Sequence, residues 1–151
     1  MTYSGGCACG AVRITVTAEP VAVRQCWCRD CQQLAAGHAT VNAIFATDAI
    51  ACSGTMTWKD RIAASGNKLS WGFCGECGTQ LFAHSSARPE FRVVRLGALD
   101  EPHGLAPDTV IWTDQAPAWA RWPDGIAQHG GQPPAAPPPP KLLSGGARQS
   151  W

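Results

Sequence analysis

The feature that most constrains the fold is a pair of cysteines, Cys74 and Cys77, set between apolar residues. They lie in the segment FCGECGTQLF, which spans residues 73–82. Two thiolates at this spacing can bind one metal ion, and the intervening glycines let the backbone turn tightly around it. Apolar residues on both sides predict two strands, so the bend of a β-hairpin would carry the ligands, as in a zinc ribbon. A redox-active pair is the alternative interpretation of an isolated Cys-x-x-Cys motif.

The other cysteines favour the metal interpretation. The chain has 151 residues and eight cysteines, and seven of these fall into three short clusters. The clusters are Cys7 with Cys9; Cys26 with Cys28 and Cys31; and Cys74 with Cys77. An even number of cysteines could instead form disulfides. Their share of the chain is below the roughly 8–10% typical of disulfide scaffolds, and a reducing compartment disfavours bridges.

Charge and hydropathy limit the classes of partner. The net charge is +1 and there is no run of basic residues, so we expect no nucleic-acid partner. No stretch approaches the roughly 20 apolar residues that a membrane span needs. The first residues lack the charged region and apolar run of a secretory signal. We therefore expect a cytoplasmic protein without a membrane partner, as a monomer or a homodimer.

Alternating apolar and polar residues predict a mainly β fold with one short helix. Residues 11–17 illustrate the pattern, since Val12, Ile14 and Val16 alternate with polar residues. Residues 30–36 predict a short helix, which Gly37 ends. Other strands are expected at 21–25, 38–47, 49–54, 56–59, 68–73, 79–84, 91–96 and 109–113. Residues 60–67 predict a loop, and residues 116–125 an irregular aromatic flap.

The composition changes near the C-terminus. From Gln128 onward glycine, proline and alanine dominate, and Pro137–Pro140 are four consecutive prolines. Such a segment cannot build a core. The sequence therefore predicts a zinc-binding β domain at 1–127 and an extended or disordered tail at 128–151.

The clustered cysteines suggest two metal sites of different kinds. Two short pairs separated in sequence suit a closed, structural zinc site. The four residues of this set are Cys7, Cys9, Cys74 and Cys77. Three cysteines remain, and three protein ligands leave one position open, as in catalytic zinc sites. These are Cys26, Cys28 and Cys31. Three alternatives remain for this second set: Cys52 supplies a fourth ligand, the site is empty, or two of its thiols form a disulfide.

An open three-thiolate site suits a particular chemistry. Three thiolates around Zn²⁺ carry a net charge of −1, which weakens the ion as a Lewis acid but suits exchange of a fourth ligand. A thiol bound there loses its proton and stays nucleophilic. Addition of the thiol to an aldehyde, or the reverse cleavage of a carbon–sulfur bond, is the predicted reaction class. Arg29 could bind a substrate carboxylate, or form a solvated pair with Asp30. Trp27 could line an apolar pocket beside the zinc.

The order and spacing of these motifs resemble a known family. The motifs are Gly6-Cys7-x-Cys9-Gly10, Cys26-x-Cys28-x-x-Cys31, Phe73-Cys74-x-x-Cys77-Gly78-Thr79, Leu96-Gly97-x-Leu99-Asp100-x-Pro102 and Ile111-Trp112. Together they resemble the glutathione-dependent formaldehyde-activating enzymes, also called the centromere-protein-V/GFA domain family, over about residues 4–125.

The resemblance implies a β-tent fold of antiparallel sheets. It also implies a structural zinc on the four-cysteine set and an exchangeable zinc on the three-cysteine set. The implied activity is a carbon–sulfur lyase reaction that joins glutathione and formaldehyde. One departure is Trp27, because the family usually has histidine between the first two cysteines of the second set. Two other functions stay open: a non-catalytic binding module stabilised by zinc, and a zinc or redox sensor.

Overall fold

The computed structural model describes residues 1–63 and 66–134. These residues form eleven strands, which belong to two sheets, together with one α-helix and three short 3-10 helices. The helix, α1, is Arg29–Leu34. The strands are β1 Tyr3–Gly6, β2 Arg13–Val16, β3 Ala22–Cys26, β4 Thr40–Ala46, β5 Ile50–Ser53, β6 Met56–Ile62, β7 Lys68–Cys74, β8 Gln80–Ser85, β9 Phe91–Arg95, β10 Thr109–Ile111 and β11 Ala127–His129. The predicted mainly β fold with one short helix is confirmed.

The smaller sheet has the strand order β1-β2-β5, and its neighbours pair antiparallel. The predicted alternation in β2 is confirmed, because Ile14 and Val16 are buried whereas Arg13 and Thr15 are exposed. Strand β1 was not predicted, since it contains Gly5 and Gly6 and glycine is depleted in strands. Gly5 is needed there because a Cβ atom would lie 2.1 Å from the carbonyl oxygen of Ala98.

The larger sheet has the order β11-β10-β3-β4-β9-β8-β7-β6. Neighbours from β3 and β4 through β9, β8 and β7 to β6 pair antiparallel. Strand β10 runs parallel to both β3 and β11, which the sequence did not predict. Its register places Ile111 opposite Cys26, so the end of β10 lies beside the second cysteine set.

The main core lies between the two sheets. Its largest fully buried members include Phe45 of β4, Phe82 of β8 and Val94 of β9 from the larger sheet, and Ile14 and Val16 of β2 from the smaller one. Burying a side chain of this size contributes roughly 1.5–3 kcal/mol. This core therefore fixes the distance between the N-terminal turn and the β7–β8 hairpin, each of which carries cysteines.

Two segments differ from the predicted boundaries. Strand β6 continues to Ile62, although residues 60–67 were predicted to form a loop, because an exposed edge strand tolerates Asp60 and Arg61. Residues 127–129 form β11 at the start of the predicted tail. Residues 130–134 contain no strand or helix, and the rest of the predicted tail, from residue 135 onward, lies outside the described residues. Residues 116–125 contain no strand or helix, as the flap prediction required.

None of the helices in residues 1–63 and 66–134 has the length and apolar character required to cross a membrane.

Candidate metal centres

Four sulfurs from two distant parts of the chain meet at one place. The ligand atoms of this first cluster all lie within 4.8 Å of one another. Its members are Cys7, Cys9, Cys74 and Cys77. The Sγ atom of Cys9 is 3.4 Å from that of Cys7 and 3.8 Å from that of Cys74. Zn–S bonds of about 2.3 Å in a tetrahedron place the sulfurs about 3.8 Å apart. The cluster could therefore hold a metal ion, and its spacing is consistent with zinc.

The β1–β2 turn positions the first two of these sulfurs. The backbone N–H of Cys7 donates to the carbonyl of Val12 at 3.0 Å, and the N–H of Val12 donates to Cys7 Sγ at 3.2 Å. Gly10, at φ 81°, occupies the left-handed region that favours glycine and donates to the Cys7 carbonyl. An N–H donor aimed at sulfur stabilises a thiolate, which is the form that binds metal.

The β7–β8 hairpin positions the other two sulfurs, as predicted. Cys74 ends β7, and the N–H of Gly78 donates to its carbonyl at 2.9 Å. The Thr79 hydroxyl lies 3.1 Å from Cys77 Sγ and accepts the N–H of Ala8 at 3.1 Å, so it joins the two turns. Hydrogen bonds from the hydroxyl and N–H of Thr79 lower the pKa of Cys77 to about 6.

A second cluster forms where β3 meets α1. The sulfurs of Cys26, Cys28 and Cys31 also lie within 4.8 Å of one another. Cys26 is the last residue of β3, and Cys28 is the N-cap of α1, where its Sγ accepts the N–H of Cys31 at 3.5 Å. The strand end and the first helical turn thus direct all three thiols to one point.

Helix α1 is held in place by the segment after β10. The buried side chain of Gln32 donates to the carbonyls of Trp27 and Gln115, at 2.6 and 2.9 Å. The side-chain oxygen of Gln115 accepts the N–H of Arg29 at 2.9 Å. Trp112, with φ 60°, turns the chain so that Gln115 faces the helix. A positive φ is uncommon for a bulky residue, which indicates that the surrounding contacts impose this turn.

The three thiols of the second cluster differ in acidity. Hydrogen bonds with Cys28 and Cys31, together with burial, raise the pKa of Cys26. Hydrogen bonds from Cys26 and Cys28 lower the pKa of Cys31 to about 2, and the hydroxyl of Thr40 and the charge of Arg95 act in the same direction. The environment therefore favours a thiolate at Cys31.

No fourth ligand completes the second cluster within the described part of the chain. No other cysteine, histidine, aspartate or glutamate there brings a ligand atom into the group. Cys52, which could have closed the site, lies on β5 in the smaller sheet, opposite Ile14. All eight cysteines are free thiols, so no pair of the second cluster is bridged.

The other two predicted site residues have different surroundings. Arg29 is exposed, and its Nη1 atom donates to Gln32 Oε1 at 2.8 Å. It does not pair with Asp30, which forms an ion pair with Arg61 of β6 instead. Trp27 is 0% exposed. The centroid of its ring lies 4.8 Å from that of His38 and 5.7 Å from that of Trp119, so the ring packs against these side chains and presents no surface to a ligand.

Three buried polar residues near the second cluster were not singled out in the sequence. They are Thr40, Asn42 and Arg95, which are 7–8% exposed. Thr40 begins β4, Asn42 lies within β4 and Arg95 ends β9, and nothing in the sequence shows that these two strands are neighbours. The one available signal was the presence of Asn42 in the middle of a predicted strand.

The fold and the two clusters define a class of small β protein in which cysteine-bearing turns form zinc-ribbon-like knuckles. Residues 2–115 match the family described as glutathione-dependent formaldehyde-activating enzyme. The chain belongs to this family. No curated protein sequence matches it significantly.

A solved structure supports the architecture. The chain is similar to a protein of Rhodobacter sphaeroides whose crystal structure comes from structural genomics. The two share 22% identity with a TM-score of 0.54, and the similarity covers 69% of this chain and 91% of the other. At this identity the likeness concerns the fold alone.

Proposed function

We propose that the protein is a zinc-dependent carbon–sulfur lyase that acts on a thiol–aldehyde adduct. Glutathione and formaldehyde are the proposed pair, because the family is described by them. The first cluster has a structural role in this proposal, and the catalytic residues are Cys26, Cys28 and Cys31.

One observation carries the proposal: the two clusters differ in the number of sulfurs. The first brings four sulfurs together, whereas the second brings three, with no further ligand atom among the described residues. Closed four-ligand zinc sites are structural, and sites with three protein ligands keep a position for water or substrate. The difference therefore separates a site that holds the fold from one that can exchange a ligand.

The donor chemistry of the second cluster fits zinc. Three thiols converge within 4.8 Å, and the Cys31 N–H lies beside Cys28 Sγ. Thiolates are ligands that zinc binds at about 2.3 Å, which is compatible with this separation. When bound, zinc would supply an exchangeable position at which a thiol is held as a nucleophilic thiolate.

The proposed reaction conserves atoms and protons. The thiol sulfur forms a bond to the carbonyl carbon, and the carbon–oxygen π bond breaks as its electron pair moves to oxygen. The oxygen takes up the proton that the thiol gave up. The product is an S-hydroxymethyl thioether, and the reverse reaction breaks the same carbon–sulfur bond. The reaction needs no oxidant or reductant.

Arg29 is the proposed carboxylate-binding residue. It is the first residue of α1, directly after Cys28, and its side chain is exposed. Glutathione has two carboxylates, and a guanidinium can bind a carboxylate through two parallel hydrogen bonds. The bond from Nη1 to Gln32 Oε1 holds the guanidinium near the helix while its other N–H groups stay available.

Exchange spectroscopy tests the proposal. The protein with two zinc ions per chain is added to glutathione and carbon-13 formaldehyde, and NMR measures the exchange between free aldehyde and adduct. We expect the exchange rate to rise in proportion to protein concentration. The matched control is Cys31→Ala, which should retain one zinc and the fold but give the uncatalysed rate. An exchange rate equal to that of the protein-free mixture, at full zinc loading, would exclude this pair of substrates.

A zinc or redox sensor is the second candidate. It is favoured by the lowered pKa of Cys31, because thiolates are the forms that oxidise and these three sulfurs lie close together. A sensor would lose one zinc on mild oxidation and regain it after reduction, without accelerating the exchange of thiol and aldehyde. Zinc release during peroxide treatment, measured beside the exchange rate, separates the two functions.

A further inference from the structure

We infer that Arg95 is the counter-charge of the second cluster and that it acts on this cluster through Asn42 and Thr40. The inference rests on the proposed function only in treating the cluster as a metal site. Arg95 touches neither metal nor substrate in this arrangement, so it is a positioning residue.

The first step is a line of hydrogen bonds with one direction. Arg95 of β9 faces Asn42 of β4 in the sheet register, and its Nη1 atom donates to Asn42 Oδ1. The Nδ2 atom of Asn42 donates to Thr40 Oγ1 at 2.9 Å. Thr40 is the cross-strand partner of Cys26, at the end of the strand that supplies the second cluster. In both hydrogen bonds of this line, the donor is the group nearer to Arg95 and the acceptor is the group nearer to the second cluster.

The direction matters at the last step. A threonine hydroxyl has one proton to donate, and Thr40 Oγ1 already accepts from Asn42. Its own O–H is therefore free to donate, and the strand register places Thr40 opposite Cys26, one of the three cysteines of the cluster. A donor of this kind favours the thiolate over the thiol. Because each bond polarises the next, the guanidinium strengthens the final contact.

The second step is the charge of Arg95. Its side chain is 7% exposed, and no carboxylate in residues 1–63 or 66–134 lies within ion-pair distance of it. Its Nε atom has no hydrogen-bond partner there either. Four other basic side chains do pair with carboxylates: Arg13, Arg61, Lys68 and Arg88. A buried guanidinium is costly unless an anion balances it.

The second cluster supplies that anion. Three thiolates and one divalent ion carry a net charge of −1, and one guanidinium brings the sum to zero. Arg95 therefore stabilises the metal-binding form of the cluster, and it also offsets the charge that an incoming thiolate would add.

Cobalt titration of the full chain tests the inference. Co²⁺ bound by thiolates absorbs in the visible range, and Cys28→Ser identifies the bands that belong to the second cluster. We expect Arg95→Met to weaken cobalt binding there about 10–100-fold, the usual effect of losing an outer-shell partner. Arg95→Lys should lose less, because it keeps the charge. Binding at the first cluster should not change.

Two matched controls isolate the effect. Arg92 is a second buried arginine on β9, three residues earlier and hence on the opposite face, where its guanidinium packs over Trp58. Arg92→Met should leave cobalt binding at the second cluster unchanged. Thr40→Val should weaken only the second cluster, and Thr79→Val, which removes the hydroxyl beside Cys77, should weaken only the first.

The outcomes are decisive in each case. If Arg95→Met and Thr40→Val are folded and bind cobalt at the second cluster as the wild type does, the inference is wrong. If cobalt binding is weakened by Arg95→Met but not by Thr40→Val, the charge acts without the hydrogen bonds through Asn42 and Thr40, and that part of the inference is wrong. If Arg95→Met does not fold, Thr40→Val decides. A wild-type second cluster that binds no metal also overturns the inference. Normal cobalt results without thiol–aldehyde exchange would instead count against the proposed reaction alone.

Discussion

The Sγ atoms of Cys9 and Cys74 are 3.8 Å apart although the two residues are separated by 65 positions in the sequence. Cys9 belongs to the turn between β1 and β2 of the smaller sheet, and Cys74 ends β7 of the larger sheet. A metal ion bound by the first cluster would therefore connect the two sheets at the edge of their shared core. This connection gives the first cluster a role in stability that the second, built from adjacent elements, does not share.

Replacing Cys74 should destabilise the fold strongly. Cys74→Ser removes one of four sulfurs, and the binding free energy of a structural zinc, on the order of 10 kcal/mol, counts toward folding. In a chain of this size each kcal/mol corresponds to roughly 2–4 °C of Tm. We expect Tm to fall by more than about 10 °C and the zinc content to drop by one per chain, as measured by calorimetry and mass spectrometry.

The control for this prediction is Cys52→Ser, because Cys52 is half-buried and belongs to neither cluster. That variant should keep its zinc content and lose at most about 1 kcal/mol, a typical cost of a single substitution. Equal Tm values for Cys74→Ser and Cys52→Ser would show that the first cluster has no structural role.

Replacing Cys28 should remove metal without unfolding the protein. Serine is a good N-cap residue, so Cys28→Ser retains an acceptor for the Cys31 N–H while it removes one sulfur of the second cluster. We expect the loss of one metal ion per chain, loss of thiol–aldehyde exchange, and a change in Tm of only a few degrees. Native mass spectrometry and calorimetry measure both effects. A Tm decrease as large as that of Cys74→Ser would contradict the proposed difference between the clusters.

The sequence was sufficient to predict most strands and the convergence of the cysteines. Period-two alternation identified β2, and the Cys-x-x-Cys-Gly motif identified the β7–β8 hairpin, because both signals are local. Strand β1 was missed since glycine is depleted in strands. In this protein, however, the close approach of Gly5 to the Ala98 carbonyl requires a residue without Cβ.

The surroundings of the second cluster could not be predicted for a different reason. Asn42, which donates to Thr40, contacts Arg95 across a strand pair whose members are more than fifty residues apart in the sequence. Cross-strand pairing depends on the order of strands in the sheet, which no local pattern encodes. Trp27 was expected to line a pocket, but its position between two cysteines gave no information on the packing of His38 and Trp119 over it.

Gly5→Ala should destabilise the contact between β1 and the segment that follows β9. The new Cβ would lie 2.1 Å from the Ala98 carbonyl oxygen, a backbone atom next to the bridge between Gly5 and Leu99, so neither segment can move aside freely. Overpacking of this kind costs roughly 1–3 kcal/mol in the free energy of unfolding. Gly97→Ala is the control, since nothing lies within 4 Å of its Cβ position, and it should change stability by less than about 0.5 kcal/mol. Urea unfolding measures both; similar values would contradict the close packing at Gly5.

The hydroxyl of Tyr3 should ionise at a pH well above the ordinary tyrosine pKa of about 10. Its hydroxyl donates to Glu19 at 2.6 Å, and this bond, with burial and the negative charge of Glu19, raises the pKa to about 12. Between these two pKa values the folded state binds more protons than the unfolded state, whose tyrosine pKa is about 10. The contribution of the Tyr3 contact to the free energy of unfolding is therefore complete below pH 10 and is lost as the pH approaches 12. Tyr3 is the only tyrosine, so the change in ultraviolet absorbance when tyrosine ionises reports on it directly. We expect the midpoint to fall in Glu19→Gln but not in Glu101→Gln; a wild-type midpoint near 10 while circular dichroism still reports the folded state would contradict the contact.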